Sequence, residues 1–319
     1  MLASTIHSPG AALCPSPVPL LRRADDRSLR REIEARALHR VRAGVYAPAE
    51  DWARLPPWHK YLARIHALAL KRPSAIFTHE SAAALLGLPV LGDLRTLHVL
   101  VARKGDARRV GDVQGHYALE EPPLITSLGV CATTALATVV DLARNRHPAY
   151  ALAAADALLH SGAASREHLL IANESRQSGR GRATAAWPLE RATADAESVL
   201  ESVSRAAIEW LGFPAPQLQS RFVIDGAEYR TDFSWPDQQV IGEADGDMKY
   251  AIGDAADAVM REKKREDALR RVMRGFARWG WNDLRTPDRL RLMLEAAGLT
   301  APRPRRTAQL HALSLLLNH

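Results

Sequence analysis

The chain is short of the residues that staple a fold or anchor it in a bilayer. It has two cysteines in 319 residues, Cys14 and Cys131. They form neither a CxxC pair nor a disulfide framework, which fits plain thiols in a reducing cytosol and argues against a cysteine-ligated zinc site. Aromatic residues make up 6%, and no run approaches the roughly 18 apolar residues of a membrane helix. The opening MLASTIHSPGAALCPSPVPLL lacks the basic start and unbroken apolar stretch of a secretory signal. These shortages predict a soluble, cytoplasmic protein with no membrane partner.

Alanine, leucine and arginine are plentiful. With 47% apolar residues over this length, the chain can build two or three domains with real cores. The excess of helix formers predicts a mainly α architecture with α/β parts. Lys and Arg exceed Asp and Glu to give a net charge of +7. That balance suits an anionic partner such as nucleic acid, although a solubilising surface gives the same total.

Composition divides the chain. Residues 1–19, rich in Pro, Ser and Gly, predict a flexible arm. Over 20–50, LLRRADDRSLRREIEARALHRVRAGVYAP predicts a helix, a turn at Asp25 and Asp26, and a helix with Leu29, Ile33 and Ala37 on one face. A two-stranded wing turning near Gly44 follows. This order describes a winged helix; an Arg-rich solvated helix followed by a connecting strand is the other reading. Residues 51–172 predict a mixed middle domain. His79, His98 and His116 fall there at scattered spacing with no carboxylate pair, and read as structural or surface histidines. The Ser, Gly, Arg and Pro content of 173–195 predicts a linker. A second domain spans 196–295, and 296–319 form a tail or helix.

The densest chemistry lies in YRTDFSWPDQQVIGEADGDMKY. Asp225 and Gly226, just upstream, sit between two β-prone runs and signal a hairpin. If Pro236–Gln239 form the next turn, Trp235 pairs with Val240 and Asp232 comes to lie opposite Glu243, with Asp245 one step further on the same face, opposite Arg230. Like charges facing each other across a ladder are destabilising. A bound Mg²⁺ or Mn²⁺, which prefers few oxygen ligands and keeps its waters, would offset that repulsion. A solvated sheet edge, or pairing of the acids with Arg230 and Lys249, would explain the cluster without metal.

The blocks ESVLESVSR, GFPAPQLQ, YRTDFSWP, GEADGDMKY, EKKREDALR and WGWNDL resemble, in order and spacing, the very-short-patch-repair-like endonuclease domain of the PD-(D/E)XK nuclease superfamily. The resemblance implies a restriction-endonuclease-like α/β sandwich with a central mixed sheet and a metal-dependent hydrolysis of phosphodiester bonds in DNA. It places Glu201 as the helical acid, with Glu197 as rival, and Asp232 and Glu243 as the strand acids, all three metal ligands. The family's lysine two residues after the second acid is replaced by Asp245, which leaves Lys249, then Lys263, as substitutes. Glu262 and Glu266 on the following segment, with Lys263 and Asp267 at the same spacing, read as ordinary helix-surface pairing or as a row that braces the site.

Upstream, LRREIEARALHRVRAGVYAPAEDW, THESAAALLGLPVLG, LHVLVARKG and TSLGVCATTALATVVDLAR resemble AbiEi-type antitoxins of type IV toxin–antitoxin systems. That resemblance implies a DNA-binding winged helix and a toxin partner. Arg22, Arg23, Arg30, Arg31, Arg40 and Arg42 would then contact phosphates of duplex DNA. The two resemblances leave two functions open: a DNA endonuclease, or a regulator whose nuclease-like domain is inactive.

Overall fold

The computed structural model describes residues 12–22, 37–245 and 255–318, with 255–263 by backbone alone. The chain is mixed α/β, with twelve α-helices and three sheets among the described residues. It divides into two compact units. The N-terminal unit comprises Ser4–Arg146 with Ser161–Arg191, and the C-terminal unit His147–His160 with Ala192–His319.

The N-terminal unit opens with an antiparallel sheet of β1 (Leu21–Arg22), β2 (Leu38–Arg42) and β3 (Val45–Pro48), in the order β1-β3-β2. The β2–β3 turn uses Gly44 at φ +76°, a left-handed conformation that glycine adopts without a Cβ penalty. The two strands expected from alternation are present as an antiparallel hairpin. The two helices expected before it fall largely on residues 23–36, outside the described residues.

Helices α1 (Ala49–Arg54) and α2 (Pro57–Lys71) follow. Pro57 starts α2 where a missing N–H costs nothing, and the helix buries Tyr61, Ile65 and Leu68. A six-stranded sheet then runs β6-β7-β5-β4-β9-β8. Its elements in chain order are β4 (Ile76–Phe77), α3 (His79–Leu85), β5 (Leu97–Leu100), β6 (Arg109–Val110), β7 (Val113–His116), β8 (Leu124–Ser127) and β9 (Val130–Thr133). Helix α4 (Ala135–Asn145) comes next; α5 (Pro148–His160) belongs to the C-terminal unit, and α6 (Arg166–Ser175) and α7 (Arg182–Arg191) return to this one.

Part of the stretch read as a linker is thus helical. Helix α7 forms because Ala185 and Leu189 are fully buried, while the Ser and Gly residues mark only the turn before it. Arg144 stitches that turn to α4: its guanidinium donates to Asn173 Oδ1 (2.8 Å) and to the Ser178 carbonyl (2.6 Å).

In the C-terminal unit, α8 (Val199–Trp210) is capped by Ser198, whose hydroxyl accepts the Glu201 N–H at 3.1 Å, satisfying one orphan donor of the first turn. Next come β10 (Gln217–Ile224), β11 (Ala227–Trp235) and β12 (Val240–Ala244). After these follow α9 (Ala255–Val272), β13 (Gly275–Trp279), α10 (Trp281–Arg285), α11 (Pro287–Ala296) and α12 (Thr307–Leu317). The sheet order is β10-β11-β12-β13, antiparallel except for the β12–β13 pair.

Asp225 and Gly226 both have positive φ, +53° and +78°, as a two-residue hairpin turn of the type I′ kind requires. Trp235 pairs with Val240, Ser234 with Ile241 and Phe233 with Gly242, the register expected from a turn at Pro236–Gln239. Aromatic rings fill the core beneath: Phe233, Trp235 and Trp279 are buried, and Phe233 lies 5.2 Å from Trp279 between centroids. The Trp279 indole N–H donates to Ser204 Oγ at 2.8 Å.

Gly242 makes that stack possible, because a Cβ there would meet the Trp279 ring at 2.6 Å and Trp235 at 3.2 Å. Gly242→Ala is expected to destabilise the C-terminal unit by about 1–3 kcal/mol through overpacking. Urea unfolding of the full chain, followed by tryptophan fluorescence, checks this. An unchanged midpoint would contradict the packing.

Candidate functional site

The C-terminal unit gathers acids from three elements. Glu201 projects from the first turn of α8 and is 5% exposed. Asp232 sits near the end of β11. Glu243 lies on β12 and is 6% exposed. Continuing the β11–β12 register one step beyond Phe233–Gly242 sets Asp232 against Glu243, and the Ala244 N–H donates to Asp232 Oδ2 at 2.9 Å.

The three carboxylates are treated differently by their surroundings. Glu201 Oε2 accepts from the Glu197 N–H (3.0 Å) and from Gln219 Nε2 (2.9 Å). Glu243 lies against two guanidiniums: Arg265 Nη2 reaches its oxygens at 2.5 and 2.6 Å, and Arg278 Nη2 reaches Oε2 at 2.8 Å. Asp232 has neither arrangement. Burial pushes its carboxyl up to about 6, the charges of Glu201 and Glu243 push the same way, and the Ala244 N–H and Arg265 counteract only in part.

Other expected residues stand apart from this trio. Asp245 follows β12; its N–H donates to the Trp279 carbonyl at 2.8 Å and its carboxylate lies 3.7 Å from Arg278. Arg230, expected opposite Asp245, instead makes a two-pronged pair with Glu197 at 2.6 and 2.8 Å, because β12 ends at Ala244 and the ladder does not extend that far. Glu197 is thereby held by an arginine, and Glu201 is the helical acid that approaches Asp232. Lys249, and the Lys263 and Glu262 side chains, lie outside the described residues. Glu266 pairs with Arg270 at 2.8 Å and lies 3.5 Å from Arg278.

Three neighbours of the trio escaped the sequence reading. Arg265 and Arg278 occur in the blocks EKKREDALR and RGFARWGW, but nothing in those blocks tells which carboxylate they meet. Gln219 occupies a left-handed conformation, φ +50°, between the pairs Leu218–Phe233 and Ser220–Thr231, and therefore opposite Asp232. Such a backbone is strained in a residue with a side chain. Its Oε1 is buried and has no donor among the described residues.

Asp232, Glu201 and the unpartnered Gln219 Oε1 are hard oxygen atoms of the kind a divalent ion takes, whereas Glu243 is turned toward the arginines. Among the described residues, no group of three or more His, Cys, Asp or Glu side chains is placed to hold an ion as it stands. Oxygen donors of the right kind lie side by side, and for Glu243 to join them it would have to leave its two guanidiniums.

The expected phosphate contacts scatter. Arg22 and Arg40 are exposed on β1 and β2. Arg42 pairs with Asp112 at 2.6 Å, and Arg64 shares that carboxylate at 2.9 Å. Arg23, Arg30 and Arg31 lie outside the described residues. Among the described residues no helix is long and apolar enough to cross a membrane.

No family model matches the chain. It is 33% identical over 138 residues to two Mycobacterium tuberculosis proteins, "Uncharacterized protein MT2308" of strain CDC 1551 / Oshkosh and "Uncharacterized protein Rv2248" of strain ATCC 25618 / H37Rv. The match covers 43% of this chain, and the chain spans 50% of the length of each of these relatives.

The raised Asp232 carboxyl makes stability depend on pH. A carboxyl raised from 3.8 to about 6 binds its proton more tightly in the folded state, so this group's penalty is absent below 3.8, grows as pH rises to 6, and persists above. Asp232→Asn is therefore expected to stabilise the metal-free chain at pH 7.5 by on the order of 1 kcal/mol, and the advantage should vanish near pH 4. Urea titrations with EDTA at both pH values measure it. A variant less stable at pH 7.5 would mean that Asp232 is held by favourable pairing.

Proposed function

We propose that the C-terminal unit is a divalent-metal-dependent, nuclease-type phosphodiesterase acting on DNA, and that the N-terminal sheet helps hold the chain on the duplex. The observation that carries this reading is Asp232: a half-buried carboxyl opposed by two buried ones, with an unpartnered Gln219 oxygen beside it. Such a set lacks a cation.

Asp232 and Glu201, with Gln219 Oε1, would hold Mg²⁺ or Mn²⁺, and Glu243 would join on release from its arginines. When bound, such an ion supplies charge neutralisation at the phosphate and a more acidic water. The protein's own groups do the rest. Gln219 Nε2 fixes Glu201, and the Ala244 N–H fixes Asp232, so neither acid has to be reoriented for each turnover. Arg265 and Arg278 supply positive charge where the resembled family has a lysine, and once off Glu243 they are positioned to receive the phosphate oxygens. Asp245 bears on Arg278 and so acts through it. Arg22 and Arg40 are the exposed cations of the N-terminal sheet available for backbone phosphates.

A second reading rests on one observation, the two guanidiniums on Glu243. In it they replace the metal permanently, and the protein is an antitoxin-like DNA-binding regulator with an inactive nuclease fold and a toxin partner.

Plasmid and linear duplex incubated with Mg²⁺, Mn²⁺ or EDTA separate the two. Metal-dependent cleavage by the intact chain, lost in Asp232→Asn, supports the first reading; binding without cleavage under every condition supports the second. In both, Arg22→Ala with Arg40→Ala should weaken duplex binding and lower the salt slope by about 0.9 per lost contact. An unaltered slope would remove these arginines from the interface.

A further inference from the structure

The three histidines that looked scattered in sequence meet in the N-terminal unit. His98 and His116 lie on the parallel neighbours β5 and β7, and His79 opens α3. The His79 and His116 rings stack at 3.9 Å, and His98 Nδ1 is 2.9 Å from His116 Nε2. Glu80 Oε2 lies 3.3 Å from His98 Nε2, and both Glu80 oxygens accept from Arg146. His79 holds φ +50°, a strained setting for a side-chain-bearing residue and one that clusters at functional sites.

This chain of contacts fixes the protons. Burial alone would raise Glu80, but the Arg146 hydrogen bonds and charge outweigh it and keep Glu80 ionised. The ionised Glu80 carboxylate, 3.3 Å from His98 Nε2, favours the His98 tautomer that carries its proton on that nitrogen. Burial keeps His98 neutral, so its Nδ1 is an acceptor and the proton between the two rings belongs to His116 Nε2. His116 Nδ1 is left with a lone pair.

His116 and His79 line a cavity of about 520 Å³, a size that suits a small organic ligand. Arg176 on its wall is matched by Asp141 (2.9 Å) and Glu120 (3.5 Å). Lys104 and Arg180, also on the wall, are exposed and have no carboxylate within ion-pair distance among the described residues. Tyr117 and Leu119 add apolar surface and are 40% and 61% exposed.

We propose that this cavity is a binding site for a phosphate monoester of nucleotide size, held by Lys104 and Arg180 with its apolar body against Tyr117 and Leu119, and that His116 takes up a proton at Nδ1 as the anion docks. The inference is independent of the nuclease reading. His116 is faced by His98 from β5, by His79 and Glu80 from α3, and by Arg146 beyond α4; Asp141, Arg144, Arg176 and Glu120 share the cavity with it or border it. Burial, then the neighbouring His98 ring and the Arg146 charge, push His116 down to about 4. An arriving dianion acts oppositely, and the new charge is shared along the contacts to His98 and Glu80. Asp141, which burial raises to about 6, is the other group that could take up a proton.

Calorimetry on the intact chain tests this, with sulfate as the constant-charge probe and AMP and adenosine as ligand arms. Sulfate is expected to bind at one site, roughly tenfold more tightly at pH 6.0 than at 7.5, with proton uptake seen as a heat that differs between buffers. AMP should bind more tightly than sulfate, and adenosine weakly. Lys104→Ala with Arg180→Ala, both at exposed positions, should weaken AMP about tenfold, and His116→Gln should abolish proton uptake while Asp141→Asn leaves it. No binding by sulfate or AMP, equal binding by the Lys104/Arg180 variant, proton uptake that survives in His116→Gln, AMP no tighter than sulfate, or binding of a 20-base-pair duplex (on the order of two helical turns) in place of AMP would each overturn the proposal.

Discussion

A four-residue turn governs the chemistry of the C-terminal unit. Pro236–Gln239, with Gln239 in the left-handed region, locks β11 to β12 so that Trp235 faces Val240. Since side chains alternate, a slip of one residue would turn Asp232 or Glu243 to the other face. The aromatic core enforces the register as firmly as the turn does: Gly242 must lie under Trp235 and Trp279, so the residues on either side of it have fixed directions. The repulsion between Asp232 and its neighbours follows from hydrophobic packing, which outweighs it.

The unit handles the resulting negative charge in two ways. Glu243 is neutralised internally by Arg265 and Arg278, brought in from α9 and β13. Asp232 remains under strain and is held near the edge of ionisation. Gln219 adds a second strained element, a left-handed backbone in mid-strand that delivers one amide atom to Glu201 and leaves the other without a donor. Strain of this kind is retained where a ligand or a reaction uses it.

What the sequence made legible was local. The Asp225–Gly226 hairpin and the register across Pro236–Gln239 follow from turn chemistry and period-two alternation, each within a dozen residues. The carboxylates were visible for the same reason. Their partners were not: Arg265 and Arg278 lie 22 and 35 residues from Glu243, and no periodicity says which charge a parallel crossover will deliver. The short strands β6 to β9 fell below the alternation signal, and with them went the meeting of His79, His98 and His116, which depends on the parallel β5–β7 pairing. Ser, Gly and Arg content over 173–195 suggested a linker, yet α7 forms there and buries Ala185, Pro188 and Leu189.

In the proposed function Asp232 and Glu201 form a cation site that Glu243 can enter. Direct titration of Mn²⁺ into the intact chain, followed by the loss of its free EPR signal, tests that most directly. Wild-type protein should take up Mn²⁺ saturably at one site, and Asp232→Asn should not. No uptake by the wild type, or equal uptake by the variant, would contradict the claim and leave the acids as a metal-independent ionic cluster.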